Sequence, residues 1–211
     1  MIRDFYIENI RRQMSVTPTM EQDTAMRLFA EYMTCRDDHP VFILNGAAGT
    51  GKTTLASAIV RALMEMKQKI VLMAPTGRAA KVFSLYSGQS AYTIHRRIYR
   101  QRTGAVGLEG FSLNDNLHTD TLFIIDEASM IANQGYGGGG FGSGRLLDDL
   151  MQYVNGGRNC RVMLIGDRAQ LPPVGEDESP ALMPQVMAVS YTAQPLPTNR
   201  EEDKPAGGGS K

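Results

Sequence analysis

Apolar residues in the first third of the chain recur at two different spacings. Ala25, Met26, Leu28, Phe29, Tyr32 and Met33 fall at helical intervals. They predict a helix opened by Thr17 as N-cap, with Pro18 at the first helical position, and closed before His39-Pro40. Val41-Phe42-Ile43-Leu44 is instead a short continuous apolar run, the pattern of a strand buried on both faces. It leads into a glycine-rich turn. Behind the turn, Leu55, Ala58, Ile59, Ala62 and Leu63 mark one face of a helix from Lys52 to about Lys67.

The alternation continues. Ile70–Ala74, Leu122–Ile125 and Val162–Ile165 are further apolar runs, and Val186–Tyr191 is a candidate fifth strand. Helical sequence lies near Arg78, from Thr93 to Arg100 and from Leu146 to Val154. Continuous apolar strands alternating with helices predict an α/β fold, a three-layer domain around a parallel sheet. Residues 103–119 are polar and read as a surface excursion, and Gly135–Gly144 as a mobile loop. The expected organisation is a lead-in over 1–14, one domain over 15–195, and a disordered tail or truncation point over 196–211.

Composition narrows the picture. The 211 residues hold 22 Lys+Arg against 22 Asp+Glu, so any nucleic-acid contact must be local, not a property of the whole surface. No apolar run approaches the ~20 residues needed to span a bilayer, and the first ten residues lack a signal-peptide core. Cys35 and Cys160 show no metal-ligand spacing and read as reduced thiols, Cys160 near a strand, so the expected location is cytoplasmic.

The strongest chemical signal is Gly46-Ala47-Ala48-Gly49-Thr50-Gly51-Lys52-Thr53, which fits G-x-x-x-x-G-K-[ST] between a strand and a helix. Glycines let the backbone wrap phosphate with successive N–H groups. The helix N-terminus adds its positive dipole end. Lys52 supplies a point charge to the β- and γ-phosphates, and the Thr53 hydroxyl is a hard ligand for Mg²⁺. Thr54 completes the predicted ATP contacts.

Asp126-Glu127 follows the Leu122–Ile125 run at once. Ligands of open α/β sheets sit beyond the carboxyl ends of strands, so this pair is expected to meet the phosphate loop there. Asp126 would hold Mg²⁺, and Glu127 would orient or deprotonate the attacking water. Gln170 lies past a third strand end, before Leu171-Pro172-Pro173-Val174. Spacing alone leaves two readings open, a γ-phosphate sensor or a proline-stiffened surface loop.

Together these segments resemble superfamily 1 DNA helicases of the RecD/TraA-like branch. Gly46–Thr53 resembles motif I. Ala74-Pro75-Thr76-Gly77-Arg78-Ala79-Ala80-Lys81 resembles motif Ia, and Thr93-Ile94-His95-Arg96 the short segment after it. Asp126–Met130 is similar to motif II and Gly166–Val174 to motif III. The resemblance covers about residues 15–175. It implies a RecA-like P-loop domain that uses ATP and Mg²⁺, with Lys52, Glu127 and Gln170 catalytic and Gln22 reading adenine. It further implies single-stranded DNA contacts at Pro75, Thr76, Gly77 and Arg78 or Lys81. His95 either joins them or caps a helix.

Helicases of this kind complete the site with a second RecA-like domain, which the 211 residues do not accommodate. Arg200 is the one arginine at about the distance expected of such a group, although its neighbours fit the pattern poorly. The partners implied are single-stranded DNA, the second motor domain or other repair subunits, and no membrane. The competing readings are a P-loop ATPase outside the helicases and a module that holds nucleotide without turning it over.

Overall fold

The computed structural model describes residues 1–102, 110–135 and 142–183. Helix α1 (Ile2–Gln13) and helix α2 (Met20–Thr34) precede the first strand, β1 (Val41–Asn45). Then come α3 (Lys52–Glu65), β2 (Lys69–Ala74), α4 (Gly77–Ser87), β3 (Ala91–Thr93), α5 (Ile94–Ile98), β4 (Tyr99–Arg102) and β5 (Gly110–Leu113). β6 (Thr121–Ile125), α6 (Leu146–Asn155) and β7 (Arg161–Gly166) follow, with 3₁₀ turns at Ala128–Met130 and Pro180–Leu182.

Five strands form one parallel sheet in the order β1-β7-β6-β2-β3. Every residue of β1 and β6 is buried, which is why both read as unbroken apolar runs. One face is covered by α1–α4, where Phe29 meets Phe42 edge to face at 5.5 Å beside Ile59 and Leu63. The other is covered by α5 and α6, through Ile94, Ile98, Leu147 and Leu150. This is the expected three-layer α/β arrangement. At about 1.5–3 kcal/mol for each fully buried large apolar side chain, these two cores fix the sheet on which the loops are mounted.

Several boundaries differ from expectation. α2 begins at Met20, not Pro18, because Thr19 and Gln22 form a reciprocal capping box. The Thr19 hydroxyl accepts from the Gln22 N–H at 3.3 Å, and Gln22 Oε1 accepts from the Thr19 N–H at 3.1 Å. Residues 1–14 are mostly helix α1, which buries Tyr6 and Ile10 in the first core. The helix expected over Thr93–Arg100 is shorter, since Tyr99 already starts β4, which pairs antiparallel with β5. The fifth strand of the described sheet is β3, paired along β2. The candidate strand 186–191, the tail and Arg200 lie outside the described residues, as do 103–109 and the middle of the glycine tract, 136–141.

Candidate active site

Because all five strands run parallel, their carboxyl ends share one edge, and four segments with predicted chemistry leave from it. β1 leads into the phosphate loop, β6 into Asp126-Glu127, β7 into Gly166-Asp167, and β2 into Pro75-Thr76. Backbone bonds set these segments side by side in two pairs, β1 with β7 and β6 with β2. The Gly46 N–H donates to the Gly166 carbonyl at 3.3 Å, and the Asp126 N–H to the Met73 carbonyl at 3.0 Å. The Arg168 N–H donates to Asn45 Oδ1 at 3.1 Å, tying the end of β1 to the segment after β7.

The phosphate loop needs its glycines where the chain turns. Gly49 and Gly51 both have φ +79°, the left-handed region, and Gly51 is the N-cap of α3. A Cβ on Gly51 would sit 2.4 Å from Gln22 Nε2. The Lys52 ammonium donates to the Gly46 carbonyl and, at 2.7 Å, to the Ala47 carbonyl. The Thr50 hydroxyl donates to Ala47 O at 2.8 Å.

Asp126 is largely enclosed. Burial pushes its carboxyl up to about 6; the Glu127 N–H at 3.0 Å and the Lys52 charge oppose that rise, and the neighbouring Glu127 carboxylate adds to it. Glu127 itself has φ +53°, a left-handed conformation sparsely used by non-glycine residues. Asp167 is 5% exposed, and its Oδ1 accepts from the Ala169 N–H at 2.8 Å. The Gln170 N–H donates to Asp167 O at 3.1 Å, and its Oε1 accepts from the buried Ser129 hydroxyl at 3.4 Å.

These groups line one cleft of about 440 Å³: Ala48, Gly49, Gly51, Lys52, Thr53, Thr54, Asp126, Glu127, Gly166, Asp167 and Gln170. The structure places Gln170 on the lining of this cleft. Gly46, Ala47 and Thr50 belong to the phosphate loop but are not among the lining residues. Gln22 does not line the cleft. It is 8% exposed, and its Nε2 donates to the Thr50 carbonyl at 3.3 Å, so here it braces the phosphate loop.

The segments expected to touch DNA adjoin this edge. The Thr76 hydroxyl accepts from the Ala79 N–H at 3.2 Å and caps α4, leaving Gly77 and Arg78 exposed with Lys81 one turn on. Ala74 pairs with Thr93, so 75–78 and 93–96 leave neighbouring strands together. Thr93, not His95, caps α5, its hydroxyl accepting from the Arg96 N–H at 3.3 Å. His95 lies half-buried with its ring 5.7 Å from Tyr99, and burial lowers its pKa.

Sequence reasoning missed Asn45, Asp167 as a cleft residue, and Ser129. Asn45 carried one signal, a lone amide ending an otherwise apolar run. Ser129 carried none, because its partner is 41 residues away.

Comparison with known proteins adds family to geometry. A family model described as an AAA domain matches residues 19–193. The chain belongs to this AAA domain family. The AAA domain is 33% identical over 140 residues to the ATP-dependent RecD2 DNA helicase of Deinococcus radiodurans, a match covering 64% of this chain and 16% of that protein. It is 33% identical over 144 residues to the ATP-dependent DNA helicase dda of Enterobacteria phage T4, covering 65% of this chain and 29% of that protein. The solved structure of the Candida albicans Pif1 helicase shares its fold, with TM-score 0.51 at 20% identity over 87% of this chain and 40% of that one. These relatives place the AAA domain in the RecD-like branch of superfamily 1, as a RecA-like unit spanning only part of their length. None of its described helices is long and apolar enough to cross a membrane.

Proposed function

We propose that this AAA domain is the first motor domain of a cytoplasmic, ATP-dependent DNA helicase, binding and hydrolysing Mg²⁺·ATP in the carboxyl-edge cleft while holding single-stranded DNA. The observation that carries the reading is the convergence of Lys52, Thr53, Asp126, Glu127 and Gln170 on one cleft, reached from three different strand ends. A structural glycine turn would not require that convergence.

The residues divide the work as follows. Successive N–H groups from Gly46 to Thr53 and the N-terminus of α3 cradle the phosphates. Lys52 exchanges its carbonyl partners for phosphate oxygens. Thr53 and Asp126 are the residues that would hold Mg²⁺. The fit is supported by Asp126, whose burial disfavours its charge until a cation offsets it. Mg²⁺ is commonly held by one or two carboxylates plus substrate phosphates, so the pair does not need a larger acidic cluster. The metal, when bound, supplies charge neutralisation at the transferring phosphoryl group.

Glu127 accepts a proton from the attacking water as its oxygen bonds the γ-phosphorus and the bond to the ADP oxygen breaks. Gln170 orients that water or the γ-phosphate by hydrogen bonding. Pro75, Thr76, Gly77 and Arg78, with Lys81 and His95, form the adjoining strand contact, where cationic groups meet phosphates. Gln22, bonded to the loop at Thr50, is the candidate for adenine recognition. The second motor domain, whether on Arg200's side of the chain or on another subunit, would complete the site.

The test is ATP hydrolysis with and without oligo-dT, beside Lys52→Ala. DNA-stimulated turnover lost in Lys52→Ala supports the proposal. Nucleotide binding without turnover would indicate a holding module whose catalytic step comes from elsewhere. Absence of Lys52-dependent nucleotide binding refutes the reading.

A further inference from the structure

The loop bearing Gln170 is tied to the loop bearing Glu127 at two points. The inner tie is the Ser129 hydroxyl, 0% exposed, donating to Gln170 Oε1 at 3.4 Å. The outer tie is Glu176. Its Oε1 accepts from two consecutive backbone N–H groups, Asn133 and, at 2.8 Å, Gln134. One carboxylate oxygen on two adjacent amides is a charge-assisted contact, stronger than a neutral hydrogen bond.

The chain is shaped to deliver this contact. The Glu176 N–H donates to the Pro173 carbonyl at 3.1 Å, and Gly175 takes φ +84°, closing a turn behind Pro172-Pro173. Pro173 is buried while Leu171 and Val174 are 87% and 90% exposed. Leu171 and Val174 therefore contribute little apolar packing, and the clamp adds to the hold given by buried Pro173. At the base, Gly166 lets the two loops approach: a Cβ there would be 3.1 Å from the Ser129 nitrogen.

We propose that Glu176 is a positioning residue that locks the Gln170 loop to the Glu127 loop, so that the two cleft groups are set as one unit. The inference rests on the nucleotide-hydrolysing reading of the cleft. Glu176 is outside the residues lining the cleft, so it acts on chemistry only indirectly, by setting Gln170 against Glu127.

Glu176→Ala, Glu176→Gln and Gln170→Ala, alone and combined, separate the possibilities. Amide hydrogen exchange is followed with and without Mg²⁺ and a non-hydrolysable ATP analogue, together with ADP affinity and ATP turnover. Glu176→Ala is expected to speed exchange at Asn133 and Gln134 about tenfold or more. It should also remove the analogue's protection of residues 167–171 while leaving protection of the phosphate loop and ADP affinity unchanged. Glu176→Gln, which keeps an acceptor oxygen, should restore protection.

Where turnover is measured, Glu176→Ala should lower it severalfold, and should lower it no further in Gln170→Ala. Unchanged exchange at Asn133 and Gln134, equal protection of 167–171, or a full additional loss in the Gln170→Ala background overturns the proposal. Failure of the analogue to protect residues 46–54 in the wild type instead refutes the reading of the cleft itself.

Discussion

Gly166→Ala tests whether the meeting point of the three site loops is as closely packed as its geometry implies. Gly166 ends β7 opposite Asn45 of β1. An added Cβ would lie 2.8 and 3.3 Å from the Leu182 methyl carbons and 3.1 Å from the Ser129 nitrogen. Leu182 can turn its methyls, although at 1% exposure it has little room. The Ser129 nitrogen is backbone and moves only with the turn behind Glu127. Inserting a methyl into such packing costs about 1–3 kcal/mol, offset by about 0.4–1 kcal/mol from a stiffer unfolded chain. The net loss is about 1–2 kcal/mol. At about 2–4 °C per kcal/mol for a chain of this size, Tm should fall by about 2–8 °C in a circular-dichroism melt. ATP turnover should fall too, because relief comes through the Ser129 turn. Gly77→Ala is the control: nothing lies within 4 Å of its Cβ, so Tm should hold or rise by about 1–4 °C. A Gly166→Ala protein as stable as the parent would refute the close-packing argument.

Tyr99→Phe removes the phenol that donates to buried Asp149 at 2.7 Å, beside the Ser143 N–H at 2.9 Å. A loss of about 1–3 kcal/mol is expected in urea titration, and a smaller value would mean that water replaces the phenol. Acid should destabilise the domain through His95 and His118. Burial lowers the pKa of both, and the Arg97 and Lys69 charges lower His118 further. Below the unfolded value of about 6.5 the unfolded chain binds protons that the folded one resists, so stability falls from there down through the lowered folded values. His118→Gln should flatten that slope in pH-dependent urea titrations, and an unchanged slope would exclude His118 as a cause.

Local spacing made the residues of the candidate cleft legible. Gly46–Thr53 and Asp126-Glu127 announce themselves because phosphate chemistry fixes residue types within a few positions of a strand end. The parallel sheet followed from runs such as Val41–Leu44. What stayed hidden depends on contacts remote in sequence, such as Arg168 on Asn45 and Glu176 on Asn133 and Gln134, which exist only once the strand order is set. β3 is three residues with no fully buried position, so it leaves no apolar run. β4 is Tyr-Arg-Gln-Arg, whose pairing with β5 is carried by backbone bonds. At the start of α2, Pro18 drew the boundary too early, while Thr19 and Gln22 held the decisive Thr-x-x-Gln spacing. Gln22 bonds to Thr19 and Thr50, and no linear pattern distinguishes such bracing from the adenine recognition that the resemblance implies.

The charge of the cleft makes a final demand on its ligand. Among the described residues that line it, Asp126, Glu127 and Asp167 face a single ammonium, Lys52, and a triphosphate would bring further negative charge. The positive end of α3 offers only about half an elementary charge. Nucleotide and divalent cation should therefore bind together, and ATP alone should bind poorly. With Mg²⁺, ATP at about 100 times its Kd would stabilise the domain by about 2.7 kcal/mol, raising Tm by about 5–10 °C. The same ATP with excess EDTA should give less than half that rise, and Lys52→Ala should diminish both. Asp126→Asn should narrow the gap between the two conditions, since it removes the carboxylate that most requires a cation. Equal Tm rises with Mg²⁺ and with EDTA would show that the cleft balances phosphate charge without a metal, and would remove Asp126 from the role assigned to it.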